Sequence, residues 1–385
     1  MSESLRRRLR TTFIVGAGGV QCARLLTLTL NSVVFPRLRL QSRKRVDTVS
    51  LLVPARGEEH NLPDLMRRLA AQNADEVIIC DDGDNGDGFA EAESLGIRVI
   101  KPGPRPREWV GKNWACHNLA QIASGEVLVF TDADTVWQPG ALDSILALRR
   151  RLDVELLSVV PQSTRLPLGA RLLTPLVETI YFSLIPWPLL TLDRFAKGAA
   201  HGALMAFSRE GYNLCGGHEL ARGQILEDVW LARATQAAGG RSRVVYGGRL
   251  LGVAMYRSYR ESVDGAAKSV LAIHDGSRVR TLGSLLAIFS LSTLPWLLPA
   301  SKGMWMLRAA SLLDRAAVNS AAGRRAPADW AETLLGPIVP IAVTPAVLKG
   351  MRRKLVWKGR VYDEETARPH EERWLRLRRR RRSAH

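Results

Sequence analysis

The chain has 385 residues and a formal net charge of +18, with 55 Lys and Arg against 37 Asp and Glu. That length accommodates one large α/β domain with additional segments. The basic excess gathers in Arg6–Arg10, Arg37–Arg45 and Arg376–Arg382, which suits an anionic membrane surface or a solvated tail; without zinc-ligand spacing, a helix-turn-helix or an aromatic RNA-binding motif, nucleic acid is set aside as a partner.

The first apolar stretch, Phe13 to Phe35, contains Gln21, Arg24 and Asn31. It has no small-residue cleavage site, so a tilted span or an interfacial helix is expected rather than a cleaved signal. The cysteines, Cys22, Cys80, Cys116 and Cys215, fit neither a metal site nor a disulfide framework and favour a reducing compartment.

From residue 46 to about 160, short β-type runs alternate with helical stretches. Val49–Val53 precedes a loop and a helix starting near Asn61. Val77–Cys80 precedes an Asp/Gly loop and a helix to Leu95. Ile97–Ile100 leads through a Pro-rich loop to a helix from about Lys112. Glu126–Phe130 is followed by Pro139, well placed for the first turn of the next helix, and Glu155–Val160 is the fifth run. The rhythm predicts a doubly wound, mixed but mainly parallel α/β sheet, whose ligands collect at the carboxyl ends of the strands.

Residues 161–200 break the rhythm. Leu166–Leu192 is apolar and Pro-rich, and reads as a membrane-facing or acceptor-facing insertion or as a buried connecting helix pair. A strand near Ala203–Phe207, a loop with Gly216-Gly217-His218 and a helix from about Leu226 follow. Thr281–Ser301 carries no charge and is about long enough to span a membrane. Thr333–Leu348 is shorter and contains Pro337, Pro340 and Pro345. The alternative for all three apolar stretches is burial as helices of a soluble protein. Arg278 and Arg280 before Thr281, and Lys349, Arg352, Arg353 and Lys354 after Leu348, predict two crossings that return the basic tail to the cytosol. Lys302, Arg308, Arg315, Arg324 and Arg325 between them argue for a re-entrant or interfacial pair instead. The expected division is 1–45 (basic segment and membrane-associated helix), 46–275 (catalytic domain), 276–350 (membrane helices) and 351–385 (basic cytosolic tail).

Four acidic features fall after strands or before a helix, in order: Val53-Pro54-Ala55-Arg56-Gly57-Glu58-Glu59, Cys80-Asp81-Asp82-Gly83-Asp84, Thr131-Asp132-Ala133-Asp134 and Leu226-Glu227-Asp228. Asp132 and Asp134 share one side of an extended segment and suit Mg²⁺ or Mn²⁺, which in turn holds a diphosphate. An Asp of the second loop can accept hydrogen bonds from a uracil imide or from ribose. Asp228 offers a base to an acceptor oxygen. Lys112 and Asn113 are read either as nucleotide supports or as surface polarity. His201 and His218 are read as acceptor-orienting or structural, and Trp109 and Trp114 as sugar-stacking or core.

These motifs, with Gly111-Lys-Asn-Trp-Ala115, His201-Gly-Ala-Leu-Met205, Gly216-Gly-His218, Leu226-Glu-Asp-Val-Trp-Leu-Ala232 and Trp357-Lys-Gly-Arg360, resemble the family 2 glycosyltransferases over about residues 46–275. Within that family the chain is most similar to membrane-associated enzymes of carotenoid-acid and hopanoid biosynthesis. The resemblance implies a GT-A nucleotide-diphospho-sugar fold on a bacterial inner membrane, with the catalytic domain cytosolic. It implies transfer with inversion from a UDP-sugar to a lipid-type acceptor such as a carotenoid acid or hopanoid. It further implies nucleotide contacts from Pro54, Arg56, Glu58, Asp81 and Asp82, a metal at Asp134 with Asp132 touching sugar or ribose, and Asp228 as base beside Glu227. Processive members carry Gln/Arg-x-x-Arg-Trp after that base; here Arg257-Ser-Tyr-Arg260-Glu261 lacks the tryptophan, favouring single transfer over polymer synthesis. Arg257 and Arg260 would face the diphosphate. A sugar-phosphate nucleotidyltransferase would carry a Gly-rich basic loop after the first strand, where this chain has Pro54–Glu59. A non-catalytic scaffold would have lost carboxylates that are all present.

Overall fold

A computed structural model describes residues 2–41, 46–190, 198–352 and 354–363, with only the backbone given for 190, 354–357 and 362–363. The Arg376–Arg382 run, Arg43–Arg45 and the end of the 166–192 insertion lie outside the described residues. The chain forms two units, each built from discontinuous segments. One comprises the described parts of Met1–Phe35, Leu166–Leu189 and Tyr256–Arg352; the other comprises those of Pro36–Arg165, Leu190–Met255 and Arg353–His385.

The second unit carries the sheet. Its strands are β1 (Val49–Ala55), β2 (Glu76–Asp81), β3 (Arg98–Ile100), β4 (Val127–Thr131), β5 (Thr135–Trp137), β6 (Leu156–Val160), β7 (Gln162–Ser163), β8 (Leu204–Ser208), β9 (Ser242–Tyr246) and β10 (Leu251–Val253). The hairpin β11 (Lys354–Trp357) and β12 (Arg360–Asp363) ends the described chain. The main sheet has the order β3-β2-β1-β4-β8-β6-β9. Its pairs are parallel except at β8, which runs antiparallel to both β4 and β6. The mixed, mainly parallel sheet is the one expected.

Burial on both faces explains the unbroken apolar runs. Leu51 and Val53 join a core on one face with Trp137, Leu142 and Ile145; the alternate Leu52 joins Ile78, Phe130, Cys116 and Phe207 on the other. Each such side chain contributes about 1.5–3 kcal/mol by leaving water. Parallel register brings the ends of β1 and β2 level, Ala55 against Asp81. Because β8 runs the other way, its start at Leu204 faces Thr131 at the end of β4. The loops after β1, β2 and β4 and the segment before β8 therefore meet at one edge.

The helix expected up to Leu95 is absent. Residues 87–96 form successive turns, with Gly88, Ala90 and Ala92 N–H groups donating to Asn85, Asp87 and Phe89 carbonyls. Asp84 and Gly86 sit at φ 62° and 47°, which starts the segment outside helical geometry.

The first unit is helical and departs from the expected division. The 166–189 insertion and residues 256–275 belong with the terminal helices, and the hairpin after residue 353 belongs with the sheet. Helix Glu3–Val34 buries two of its polar residues, Gln21 and Asn31. Asn31 donates to the carbonyls of Tyr181 (3.1 Å), Phe182 (3.1 Å) and Ile185 (2.7 Å) and accepts from the Trp187 N–H (2.9 Å). Arg24 pairs with Asp314 at 2.5 Å. The uncharged Thr281–Ser301 stretch is not one helix: Arg278–Ser292 ends at Thr293, and a short piece, Leu294–Leu297, carries Pro295. Two other segments, Glu3–Val34 and Pro327–Gly350, are long and apolar enough to cross a membrane by length and composition.

The basic residues between the C-terminal apolar stretches are largely internal. Arg171 binds Asp329 (2.7 Å) and Glu332 (3.0 Å), Arg315 binds Glu332 (2.7 Å), and Arg324 binds Glu178 and Asp329 (both 3.1 Å) and Glu332. Arg308 donates to the Pro295 and Leu298 carbonyls and lies 4.5 Å from the Trp305 ring centre.

Candidate active site

The site is built by the second unit at the edge where β1, β2 and β4 end. Asp132 begins the turn after β4; its N–H donates to the Ala203 carbonyl at 3.0 Å, tying that turn to the chain entering β8. Asp134 is held by its own carbonyl, which accepts from Ala254 N–H at 2.9 Å beside β10. Its Oδ1 is buried without a hydrogen-bond partner. Burial, then the charges of Asp132 and Glu58, push the Asp134 carboxyl up to about 7.

Asp228 stands in the first turn of helix Glu227–Ala237, where a carboxylate meets unpaired N–H groups. Its Oδ1 accepts from Val229 N–H at 2.8 Å. Burial first, and the Glu227 charge second, raise this carboxyl to about 7. Lys112 lies between the two acidic motifs, 2.7 Å from Asp132 and 2.8 Å from Glu227, and donates to the Gly202 carbonyl at 3.1 Å. Burial opposes its charge, but Asp132 and Glu227 outweigh it and hold the ammonium pKa well above its ordinary value. Gly202 gives all of these groups room. A Cβ there would sit 3.0 Å from Glu227 Oε1, 3.1 Å from Lys112 Nζ and 3.4 Å from Asp228 Oδ2.

The loops after β1 and β2 are stapled together. Asn85, buried, donates to the Ala55 carbonyl (3.1 Å) and to Asp81 Oδ1 (2.7 Å), and accepts from the Glu58 N–H (3.0 Å). Arg56 pairs with Asp84 at 2.5 Å and also donates to the Asp82 carbonyl. Pro54, in β1, is partly buried beside them. Asn85 was not singled out by sequence reasoning; its one signal is its place in the Asp/Gly-rich turn.

Asn113 has a defined task. Its amide donates to the carbonyls of Ala221 (2.7 Å), Arg222 (3.2 Å) and Gln224 (2.9 Å), shaping the loop that leads to Asp228. Asn113→Ala is expected to destabilise the protein by about 2 kcal/mol, read as a lower thermal midpoint. An unchanged midpoint would mean that the 221–224 loop holds its shape unaided.

Other candidates are placed elsewhere. His218 is fully buried against Phe130, its Nδ1 2.9 Å from the Tyr212 hydroxyl, and burial drives its pKa down to about 3. It is a neutral packing residue. His201 accepts from the Ala203 N–H at 3.2 Å and supports the start of β8. Trp109 packs edge-on against Trp114, with His117 beside both. Arg257 and Arg260 belong to the helical unit, where Arg257 pairs with Glu261 at 3.0 Å and Arg260 is exposed. They are not among the residues that the second unit brings together.

Among the described residues no cluster of three or more His, Cys, Asp or Glu side chains is arranged to hold a metal by itself. Asp132 and Asp134 provide two carboxylates, one with an unpartnered buried oxygen. That donor set suits a divalent ion that completes its shell with phosphate and water oxygens.

Residues 50–172 match the family model described as glycosyl transferase family 2. The match is to part of the sheet-bearing unit, and the mixed sheet of that unit is the GT-A fold. The 4,4'-diaponeurosporenoate glycosyltransferase of Staphylococcus haemolyticus (strain JCSC1435) is 30% identical over 202 residues, covering 49% of this chain and 52% of that protein. The chain thus spans about half the length of this curated relative. Among solved structures, the mannosyltransferase PcManGT from Pyrobaculum calidifontis, in complex with GDP-Man and Mn²⁺, superposes with a TM-score of 0.52 at 18% identity, over 88% of this chain and 98% of that one.

Proposed function

We propose that this protein transfers a sugar, with inversion, from a nucleotide-diphosphate sugar, a UDP-sugar, to a lipid-type acceptor such as a carotenoid acid or a hopanoid or other isoprenoid lipid. The observation that carries the reading is the convergence of Asp228, Glu227, Lys112 and Asp132 around Gly202. An acceptor oxygen attacks the anomeric carbon, the bond from that carbon to the diphosphate breaks, and the acceptor proton passes to Asp228. Glu227 keeps Asp228 basic, while Lys112 neutralises Glu227 and Asp132 and fixes both. Asp81 and Asp82 receive the base and ribose, with Pro54, Arg56 and Glu58 alongside. Asp134, with Asp132, would hold Mg²⁺ or Mn²⁺, which supplies charge neutralisation for the departing diphosphate.

The acceptor class is supported by the carotenoid-acid relative and by an apolar groove of about 410 Å³ in the helical unit, lined by Leu285, Leu286, Phe289, Pro340, Ile341, Thr344 and Pro345. Polymer synthesis is disfavoured by Glu261 standing where a tryptophan would follow Arg260. Membranes containing the protein, incubated with a panel of radiolabelled nucleotide sugars and then extracted, should yield labelled lipid. Label confined to insoluble polymer would favour a polysaccharide synthase; no label from any donor would favour a non-catalytic scaffold.

The donor is cytosolic, so we place the sheet-bearing unit at the cytosolic face of a bacterial inner membrane. The chain leaves that unit at residue 255 and returns at 353, so an even number of crossings lies between. Helix Arg278–Ser292 has 15 residues. At about 1.5 Å per residue it reaches roughly 22 Å, short of a hydrocarbon core of about 30 Å. No crossing is therefore expected after residue 255. A reporter active only in the cytosol should work when fused at Gly323 and at His385. Activity at His385 alone would mean two crossings.

A further inference from the structure

The hairpin β11–β12 sits outside every acidic motif of the site, yet its turn is bound to two of them. Trp357 pairs with Arg360, leaving Lys358 and Gly359 as a two-residue turn at φ 46° and 72°. Positive φ at both positions matches the strand twist, but it is unfavourable for a lysine. Contacts to the loops after β1 and β2 hold it there. The Lys358 carbonyl accepts from Arg56 Nε at 3.0 Å, and Lys358 Nζ donates to the Arg56 carbonyl at 2.7 Å and to Glu58 at 2.5 Å. Arg360 forms a two-pronged pair with Asp82, Nη1 to Oδ2 at 2.5 Å and Nη2 to Oδ1 at 2.8 Å. Both side chains of that pair are largely shielded, at 19% and 8% exposure.

A second feature shows that the domain is shaped for this arginine. Gly111 opens helix Gly111–Ile122 with an ordinary backbone, where alanine would be the better helix former. A Cβ on Gly111 would fall 2.0 Å from Arg360 Nη1. The glycine is there for space, and the space is filled by the guanidinium.

Charge gives the seat a purpose. Among the described residues, the carboxylates Glu58, Asp81, Asp82, Asp84, Asp132, Asp134, Glu227 and Asp228 outnumber the basic side chains paired with them, Arg56, Lys112, Lys358 and Arg360. Such a floor repels an incoming nucleoside diphosphate. Lys112 is committed between Asp132 and Glu227. We propose that Arg360 and Lys358 are donor-binding residues: the hairpin is a strap whose guanidinium passes from Asp82 to the diphosphate when the donor enters, so that the Asp82 carboxylate becomes available to the nucleoside. Arginine suits the exchange because its planar fork matches carboxylate and phosphate alike. The inference rests on the donor-site reading above.

The test is calorimetric titration of the full-length protein in detergent, with Mn²⁺ present, using UDP, GDP and their nucleosides. Arg360→Ala should weaken binding of the nucleoside diphosphate by about tenfold or more, while nucleoside binding stays equal or tightens because Asp82 is unblocked. Gly111→Ala should displace the guanidinium and produce the same pattern with Arg360 intact. The double variant should be no worse than either single one. Equal losses for nucleoside and nucleoside diphosphate would make Arg360 a mere prop of the Asp82 loop and overturn the proposal, as would unchanged diphosphate binding in both single variants. If the unaltered protein binds neither UDP nor GDP, the donor-site reading itself fails, and the strap with it.

Discussion

Asp228→Asn should leave nucleotide-sugar binding near normal and lower turnover by about 10²-fold or more. An amide fills the same space but cannot take the acceptor proton. Because burial and Glu227 raise the Asp228 carboxyl to about 7, the unaltered enzyme should itself report this group. Below that pH Asp228 is protonated and cannot act as a base; above it the carboxylate is available. The specificity constant kcat/KM should therefore climb with pH through a midpoint near 7 and then level off, and Asp228→Asn should make the climb shallower, leaving only the share owed to Asp134, whose carboxyl is also raised to about 7. A titration in which donor affinity collapses in parallel with turnover would recast Asp228 as a binding residue. An acceptor that is a carboxylic acid is already ionised at neutral pH. With such an acceptor both the defect and the pH dependence should be mild, so the same experiment separates carboxylate from hydroxyl acceptors.

Asp134→Ala should cost more, on the order of 10³-fold in transfer, because charge neutralisation at the leaving diphosphate is worth several kcal/mol. The fold should not suffer. Asp134 has a buried oxygen with no hydrogen-bond partner and faces the charges of Asp132 and Glu58, so its removal relieves repulsion. The thermal midpoint of the variant should match or exceed that of the unaltered protein, the signature of a site kept for chemistry at the expense of stability. Transfer should also stop in excess chelator and return with Mn²⁺ or Mg²⁺. Near-normal turnover of the variant, or full activity in chelator, would remove the metal from the reading.

The sheet was legible in the sequence because its strands are buried on both faces. Leu51, Leu52 and Val53 need no partner to announce themselves, and neither do Val127–Phe130. The acidic loops were legible because each follows such a strand. Lys112 illustrates the limit. Its position at a helix head was readable, but its place between Asp132 and Glu227 depends on β8 returning antiparallel beside β4, which no local pattern encodes. The Trp357-Lys-Gly-Arg360 motif was readable, but its place beside Asp82 was not, since Arg360 and Asp82 are 278 positions apart. Its local strand signal, Lys358-Gly359 between the brief apolar runs Leu355–Trp357 and Val361–Tyr362, is short.

The helical unit was harder still. Counted along the chain, Arg308, Arg315 and Arg324 look like charge that no membrane segment would tolerate. In the fold they are buried, and Arg315 and Arg324 are matched by Glu178, Asp329 and Glu332 from other segments. The pairing of Arg324 with Glu178, 146 positions away, cannot be read from charge spacing. The uncharged Thr281–Ser301 stretch misleads in the opposite direction, because Pro295 interrupts the helix its composition promises.

The interleaving of the two units bears on how this protein can be handled. A soluble fragment cut at residues 46 and 275, the boundaries its composition suggests, would be a poor reagent. It would retain the 166–189 and 256–275 segments while discarding the helices that Asn31, Asp314, Arg324 and Glu332 contribute, stranding Glu178 and Arg171 without their counter-ions. It would also sever the hairpin that grips Arg56, Glu58 and Asp82. Purification and ligand screening are therefore best done on the whole chain. A shortened version would need the 166–189 excursion replaced by a brief linker and the 354–363 hairpin reattached.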